Sequence, residues 1–155
     1  MIQPQPFIRI QNVSKAYPEG RQVRSVLVHV DESICRGEIV VLLGRSGSGK
    51  STLLNLISGI DTPDEGDIVL DGQCVNRLSE QERTVLRRRR MGFIFQFFNL
   101  IPTLTVLENI LLPLELNRML NTSEQQHALH LLEAVGLVDR TASFPDALSG
   151  GEQQR

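Results

Sequence analysis

The octapeptide Gly44-Arg45-Ser46-Gly47-Ser48-Gly49-Lys50-Ser51 matches the pattern G-x-x-x-x-G-K-[ST], the P-loop. Such a loop does phosphate chemistry, and each part has a physical reason. Glycines let the backbone curl until successive N–H groups face inward at phosphate oxygens. A helix beginning where the loop ends adds free N–H groups and a partial positive charge. Lys50 has the reach for β- and γ-phosphates, Ser51 can offer its hydroxyl to Mg2+, and Thr52 can add a further phosphate contact. The plain alternative is a Gly/Ser-rich turn that opens a helix. Four specified positions with the right elements on either side argue against it.

A strand must precede this loop and a helix must follow it. Residues 38–43 (Glu-Ile-Val-Val-Leu-Leu) are apolar and β-branched on both faces, which predicts a parallel strand buried on both sides. Residues 50–58 predict a helix, with Gly59 as its C-terminal cap. Upstream, residues 7–13 and 23–30 alternate apolar and polar and predict two half-buried strands, with Tyr17-Pro18-Glu19-Gly20 as the turn between them. Downstream come a turn cluster over 61–66, a short strand over 68–70, a tight turn at Asp71-Gly72 and a short strand over 92–95. Ser79/Glu82, Thr105/Glu108 and Ser123/Gln126 have the spacing of capping boxes. They predict helices ending near Arg90, before Pro113 and at Val135-Gly136. Strands dominate the first third and helices the stretch after Asn99, an α/β layer architecture.

The chain has 155 residues, the size of one domain. It is 41% hydrophobic, enough to build a core. With 16 Lys+Arg against 18 Asp+Glu, the net charge of −2 excludes a polybasic nucleic-acid coat and an acidic tail protein. No apolar run approaches the ~20 residues that span a bilayer. Pro4, Pro6 and Arg9 interrupt the segment where a secretory signal would lie. Cys35 and Cys74 are far apart with no CxxC, which reads as two reduced cysteines of an intracellular protein. Arg83 and Arg87 to Arg90 form a basic cluster, read as a solvated helix face. His127 and His130 lack a third ligand at a matching spacing and read the same way.

Three further segments give the P-loop a context: Leu148-Ser149-Gly150-Gly151-Glu152, Phe93-Ile94-Phe95-Gln96-Phe97-Phe98-Asn99-Leu100-Ile101, and Tyr17 in Val-Ser-Lys-Ala-Tyr. Together they resemble the ATP-binding cassette ATPases, the motor subunits of ABC transporters, in that family's order over nearly the whole chain. Residues 98–110 are most similar to the lipoprotein-release and macrolide-export branch. The resemblance implies a P-loop NTPase cassette fold within one nucleotide-binding domain, residues 1–155. That fold has an N-terminal antiparallel β part, a partial parallel core sheet and a helical subdomain over about 97–148. It implies ATP and Mg2+ as cofactors. Gly44, Arg45, Ser46, Gly47, Ser48, Gly49, Lys50, Ser51 and Thr52 would hold the phosphates, Ser51 and Gln96 would attend Mg2+, and Lys50 and Gln96 would carry catalysis. Tyr17 would stack on adenine. Ser149, Gly150 and Gly151 would close on the γ-phosphate of ATP held by a second subunit, in a head-to-tail dimer. Glu152 stands where the family commonly has Gln.

The implied partners are that second nucleotide-binding subunit and integral membrane permease subunits, with no nucleic acid. The implied location is the cytoplasmic face of the membrane. Phe97, Phe98, Leu100 and Ile101 form an apolar loop that serves either internal packing or a groove for a permease helix. The resemblance also calls for a Mg2+-bearing Asp, a water-polarising Glu and a switch His, none of which these 155 residues contain at the matching places. The expectation is therefore a portion of a longer ATPase that drives export or membrane extraction. The 155 residues alone are expected to be poorly soluble and without steady turnover. The alternative is a non-catalytic nucleotide-binding module or an inactive fragment.

Overall fold

Residues 8–34 fold into one long antiparallel hairpin, β1 (Ile8–Glu19) and β2 (Gln22–Ile34). The structure, a computed structural model, describes residues 6–96 and 98–155. The hairpin turn is tighter than the expected Tyr17–Gly20. Tyr17 pairs with Arg24, Pro18 with Val23 and Glu19 with Gln22, which leaves only Gly20 and Arg21 in the turn. Pro18 lacks a ladder N–H, yet a strand tolerates it where no neighbour needs that donor. The other side of β1 is paired by β3 (Glu65–Leu70) only as far as Ser14. A two-residue turn at Asp71-Gly72, both with positive φ (49° and 81°), carries β3 into β4 (Gln73–Cys74). The sheet order is β2-β1-β3-β4, and each neighbouring pair is antiparallel.

A bulge in β1 decides which side chains face inward. Ile10 and Val13 are three residues apart, so strict alternation would put them on opposite faces. Both are buried, at 2% and 0% exposure. The register of β1 shifts between Ile10 and Val13, where Asn12 adopts a φ of 50°. One extra residue restores Val13 to the core face. The core of this unit is Ile10, Val13, Leu56, Ile68, Leu70 and Val75. Leu53 and Ile57 pack on it from α1 (Lys50–Ile57), and Leu86 packs on it from α2 (Glu80–Arg90). The Ser79/Glu82 box caps α2 as its spacing predicts.

Two expected strands, the doubly buried one over 38–43 and the short one over 92–95, are not formed. Residues 38–43 and 92–95 are irregular and have no ladder partner among the described residues. Ile39 is 94% exposed, and Leu43 and Ile94 are also in solvent. A strand apolar on both faces is a statement of need. It requires neighbours on each side to satisfy its N–H and C=O groups and to cover its faces. The antiparallel part of the expected architecture is present, and the parallel sheet is not seen among the described residues.

The chain divides into two units, the first ending at Met91 and the second running from Gly92 to Arg155. In the second, α3 (Val106–Leu116) and α4 (Thr122–Ala134) pack around Val106, Leu132, Leu137 and Leu148, and α5 (Gly150–Gln154) closes the chain. Thr105/Glu108 caps α3 as expected. The helix does not stop before Pro113; it continues one turn beyond it. Proline costs an interior helix bond, but here the end is secured by Asn117, whose N–H and Nδ2 both donate to the Pro113 carbonyl (3.2 and 2.8 Å). The third cap also moves. Asn121, not Ser123, caps α4, accepting from the Glu124 N–H at 3.0 Å. Asn121 precedes Ser123, so the helix is already under way at Ser123. No helix among the described residues is long and apolar enough to cross a membrane.

The end of α3 carries strain. Arg118 and Met119 donate to Glu115 and Leu114 (both 2.9 Å), a Schellman closure that places exposed Arg118 at φ 55°. A side chain is disfavoured there. Arg118→Gly is expected to stabilise the protein by about 0.5–1 kcal/mol, read as a raised urea midpoint.

Candidate functional site

The P-loop is shaped by packing against the hairpin. Gly49 opens α1 at φ 90°, and a Cβ there would lie 3.0 Å from the Val26 carbonyl oxygen and from side-chain carbons of Val26 and Leu27. Only glycine meets both demands. The Ser48 N–H donates to the Arg45 carbonyl at 3.2 Å, curling the loop. Lys50 turns its ammonium back into that curl, donating to the carbonyls of Gly44 (2.8 Å) and Arg45 (2.9 Å) and to Ser48 Oγ (3.4 Å).

The start of α1 differs from that of the other four helices described. Each of those has a side-chain oxygen at its N-cap and a glutamate in its first turn: Ser79/Glu82, Thr105/Glu108, Asn121/Glu124 and Ser149/Glu152. The α1 terminus has neither. Its first N–H groups are left for an acceptor from outside the helix, and no acid offsets its positive end.

A cavity of about 700 Å³ opens at this terminus. Ser46, Gly47, Gly49, Lys50, Ser51 and Thr52 line it from the loop and α1. Tyr17, Pro18 and Glu19 contribute from β1, and Arg24 and Val26 from β2. Gly44, Arg45 and Ser48 act on it through Lys50.

Tyr17 is held as well as present. Its hydroxyl donates to Asp61 Oδ2 at 2.7 Å. Lys15 Nζ donates to Asp61 Oδ1 (3.1 Å), the Thr62 carbonyl (2.7 Å) and Asp64 Oδ1 (3.4 Å), and sits 5.2 Å from the centre of the Tyr17 ring. Burial pushes the Tyr17 hydroxyl above its ordinary pKa, helped by its bond to Asp61. Burial acts to raise Asp61 as well, but the Tyr17 hydroxyl, the Thr62 N–H and Lys15 outweigh it and hold the carboxyl below the usual range. For Lys15, burial is outweighed by Asp61 and Asp64, so the ammonium is kept above its ordinary value. The sequence reading gave Asp61, Lys15, Glu19 and Arg24 no role. The available signal was the pair Asp61 and Asp64 just beyond the P-loop helix, with a lysine two residues before Tyr17.

The remaining expected site residues lie in the second unit. Gln96 is exposed on irregular backbone, and Phe97 lies outside the described residues. Ser149 is the N-cap of α5, and Gly150 and Gly151 are its first, exposed residues. The N–H and hydroxyl of Ser149 donate to Glu152 Oε2 (2.8 and 2.6 Å), and Arg140 Nε donates to Glu152 Oε1 (3.2 Å). The Ser149 hydroxyl and N–H, with Arg140, take the Glu152 carboxyl from 4.5 down to about 2. A folded-state pKa below the unfolded one lends stability that is complete above about 4.5 and lost as the pH falls toward 2. The Glu152 side-chain carbon resonance is expected to titrate with a midpoint near 2. A midpoint near 4.5 would show that Glu152 does not hold Ser149.

A family profile described as "ABC transporter" matches residues 27–155. The chain belongs to the ABC transporter family. This cassette is 53% identical over 151 residues to an uncharacterised ABC transporter ATP-binding protein of Mycobacterium tuberculosis, covering 97% of this chain and 61% of that one. It is 42% identical over 150 residues to the lipoprotein-releasing system ATP-binding protein LolD of Psychrobacter arcticus, covering 96% and 66%. It also matches the dimeric ATP-binding cassette MJ0796 in a post-hydrolysis state bound to ADP and Pi. There the TM-score is 0.82 and the identity 42%, over 95% of this chain and 65% of that one. The chain thus spans about three-fifths to two-thirds of the length of these relatives. The α/β cassette fold implied by the motifs is the fold of this chain.

Proposed function

We propose that the cavity at the α1 terminus binds Mg-ATP and that the whole protein is the ATP-hydrolysing subunit of an ABC transporter. The observation that carries this reading is the uncapped, acid-free start of α1 beneath a glycine-shaped loop that holds a lysine. Backbone N–H groups of the loop and α1 bind phosphate oxygens, with Lys50 on the β- and γ-phosphates and Thr52 beside them. Tyr17 stacks on adenine at the cavity rim. The Ser51 hydroxyl is a hard oxygen donor that suits Mg2+, and the Gln96 side-chain oxygen has the same character; its role is proposed from the family pattern. When bound, Mg2+ offsets phosphate charge and polarises the γ-phosphoryl group.

Ser149, Gly150 and Gly151 serve the nucleotide of a second copy in the proposed dimer. The likeness to the dimeric MJ0796 cassette supports that reading. The similarity to an ATP-binding protein of a lipoprotein-releasing system supports permease partners in the membrane, a place on its cytoplasmic face, and work of export or membrane extraction. Titration of the full-length protein with Mg-ATP tests the reading. Saturable binding followed by phosphate release is the expected result, binding without release would leave only a nucleotide-binding module, and no binding would overturn the proposal.

A further inference from the structure

We infer that Asp61 is a positioning residue for base recognition, holding the Tyr17 ring at the cavity rim through the tyrosine hydroxyl. This rests on the reading of the cavity as an ATP site and goes further, because it assigns work to a residue outside the nucleotide-lining set.

Stacking is a property of a ring face, and phenylalanine has one. What tyrosine adds here is the hydroxyl, and that hydroxyl is committed. It donates to Asp61 Oδ2 at 2.7 Å. Asp61 is itself fixed. Its Oδ1 accepts from the Thr62 N–H at 2.7 Å and from Lys15 at 3.1 Å, and its own N–H donates to the Asn55 carbonyl at 3.2 Å. The Lys15 side chain is only 10% exposed and lies against the same ring.

The stretch of β1 that carries Lys15 and Tyr17 lies beyond the reach of β3, so the 61–64 loop does the holding. Asp64 donates its N–H to the Ser14 carbonyl and accepts from the Ala16 N–H. The Tyr17–Asp61 bond, with the Asp61 N–H on the Asn55 carbonyl of α1, therefore ties the ring that faces the base to the helix that opens at the phosphate loop. A ring fixed in advance loses less rotamer freedom when a base settles on it, and that saving appears as affinity.

The test compares two ligands, Mg-ATP and inorganic tripolyphosphate, by calorimetric titration of the full-length protein. Tripolyphosphate presents the phosphates without the base. Tyr17→Phe and Asp61→Ala are each expected to weaken ATP by about tenfold while leaving tripolyphosphate within about twofold. Asp61→Asn keeps an oxygen that can accept from Tyr17 and is expected to retain most of the ATP affinity. Unchanged ATP affinity in Tyr17→Phe overturns the inference. So does a parallel loss of both ligands in Asp61→Ala, which would give Asp61 a merely structural role. Should Asp61→Ala fail to fold, Tyr17→Phe decides alone. A parent protein that binds neither ligand, or tripolyphosphate but not ATP, instead overturns the ATP-site reading before any variant is made.

Discussion

Gly66→Ala is expected to destabilise the protein by about 3–5 kcal/mol. Gly66 sits at φ +84°, where a side chain costs about 1–2 kcal/mol. The larger part is steric. An added Cβ would overlap the backbone oxygens of Asn12 and Gln11, both at the bulge of β1. These are main-chain atoms and cannot rotate away. Relief requires β1 and β3 to separate, which weakens the pairs Gln11↔Asp67 and Ser14↔Glu65 that flank the bulge. Urea unfolding of the variant reads this directly, and a loss under about 1 kcal/mol would show that the strands can part cheaply. The effect should reach the site as well. Asp64 is bonded to Ser14 at the edge of this clamp, and Asp61 holds Tyr17 from the same loop.

The loop half of the candidate site was legible in the sequence because its geometry is local. Gly49 and Lys50 act through their own backbone and near neighbours, so spacing along the chain is enough to find them. The half built around Tyr17 was less legible. Tyr17 and Asp61 are 44 residues apart, and only folding of β1 against the loop after α1 brings them together. The bulge at Asn12 hid for the opposite reason. It breaks the alternation on which a strand is read, and only the burial of both Ile10 and Val13 reveals it.

Helix starts read well where Ser or Thr and Glu had no rival, as at Ser79 and Thr105. They failed where Asn121 competed with Ser123, since both residues can cap and only the course of the backbone chooses. Pro113 misled because the cost of proline was weighed without the contacts of Asn117. Residues 38–43 and 92–95 show the limit of composition. Apolar faces announce a demand for cover, and the pairing that would meet it is not among the described residues.

Lys50→Ala is expected to weaken both Mg-ATP and tripolyphosphate by about 100-fold or more, corresponding to roughly 3 kcal/mol. The size follows from charge. Lys50 brings a full positive charge to the start of α1, beside N–H groups that carry only partial ones. Its loss leaves phosphate charge to be met by the backbone and by Arg24, whose guanidinium lies 3.4 Å from where a Gly47 Cβ would stand. Arginine cannot simply replace it, because a planar fork does not fit the point contacts that Lys50 makes with Gly44 and Arg45. Stability should change little, since the carbonyls freed by the substitution belong to exposed residues that water can reach. The pattern across ligands separates this variant from Tyr17→Phe. Loss of the charge strikes both ligands equally, whereas loss of the hydroxyl strikes only the one with a base. Lys50→Ala with both affinities within threefold of the parent, in a protein of unchanged unfolding midpoint, would mean that phosphate is not bound at α1.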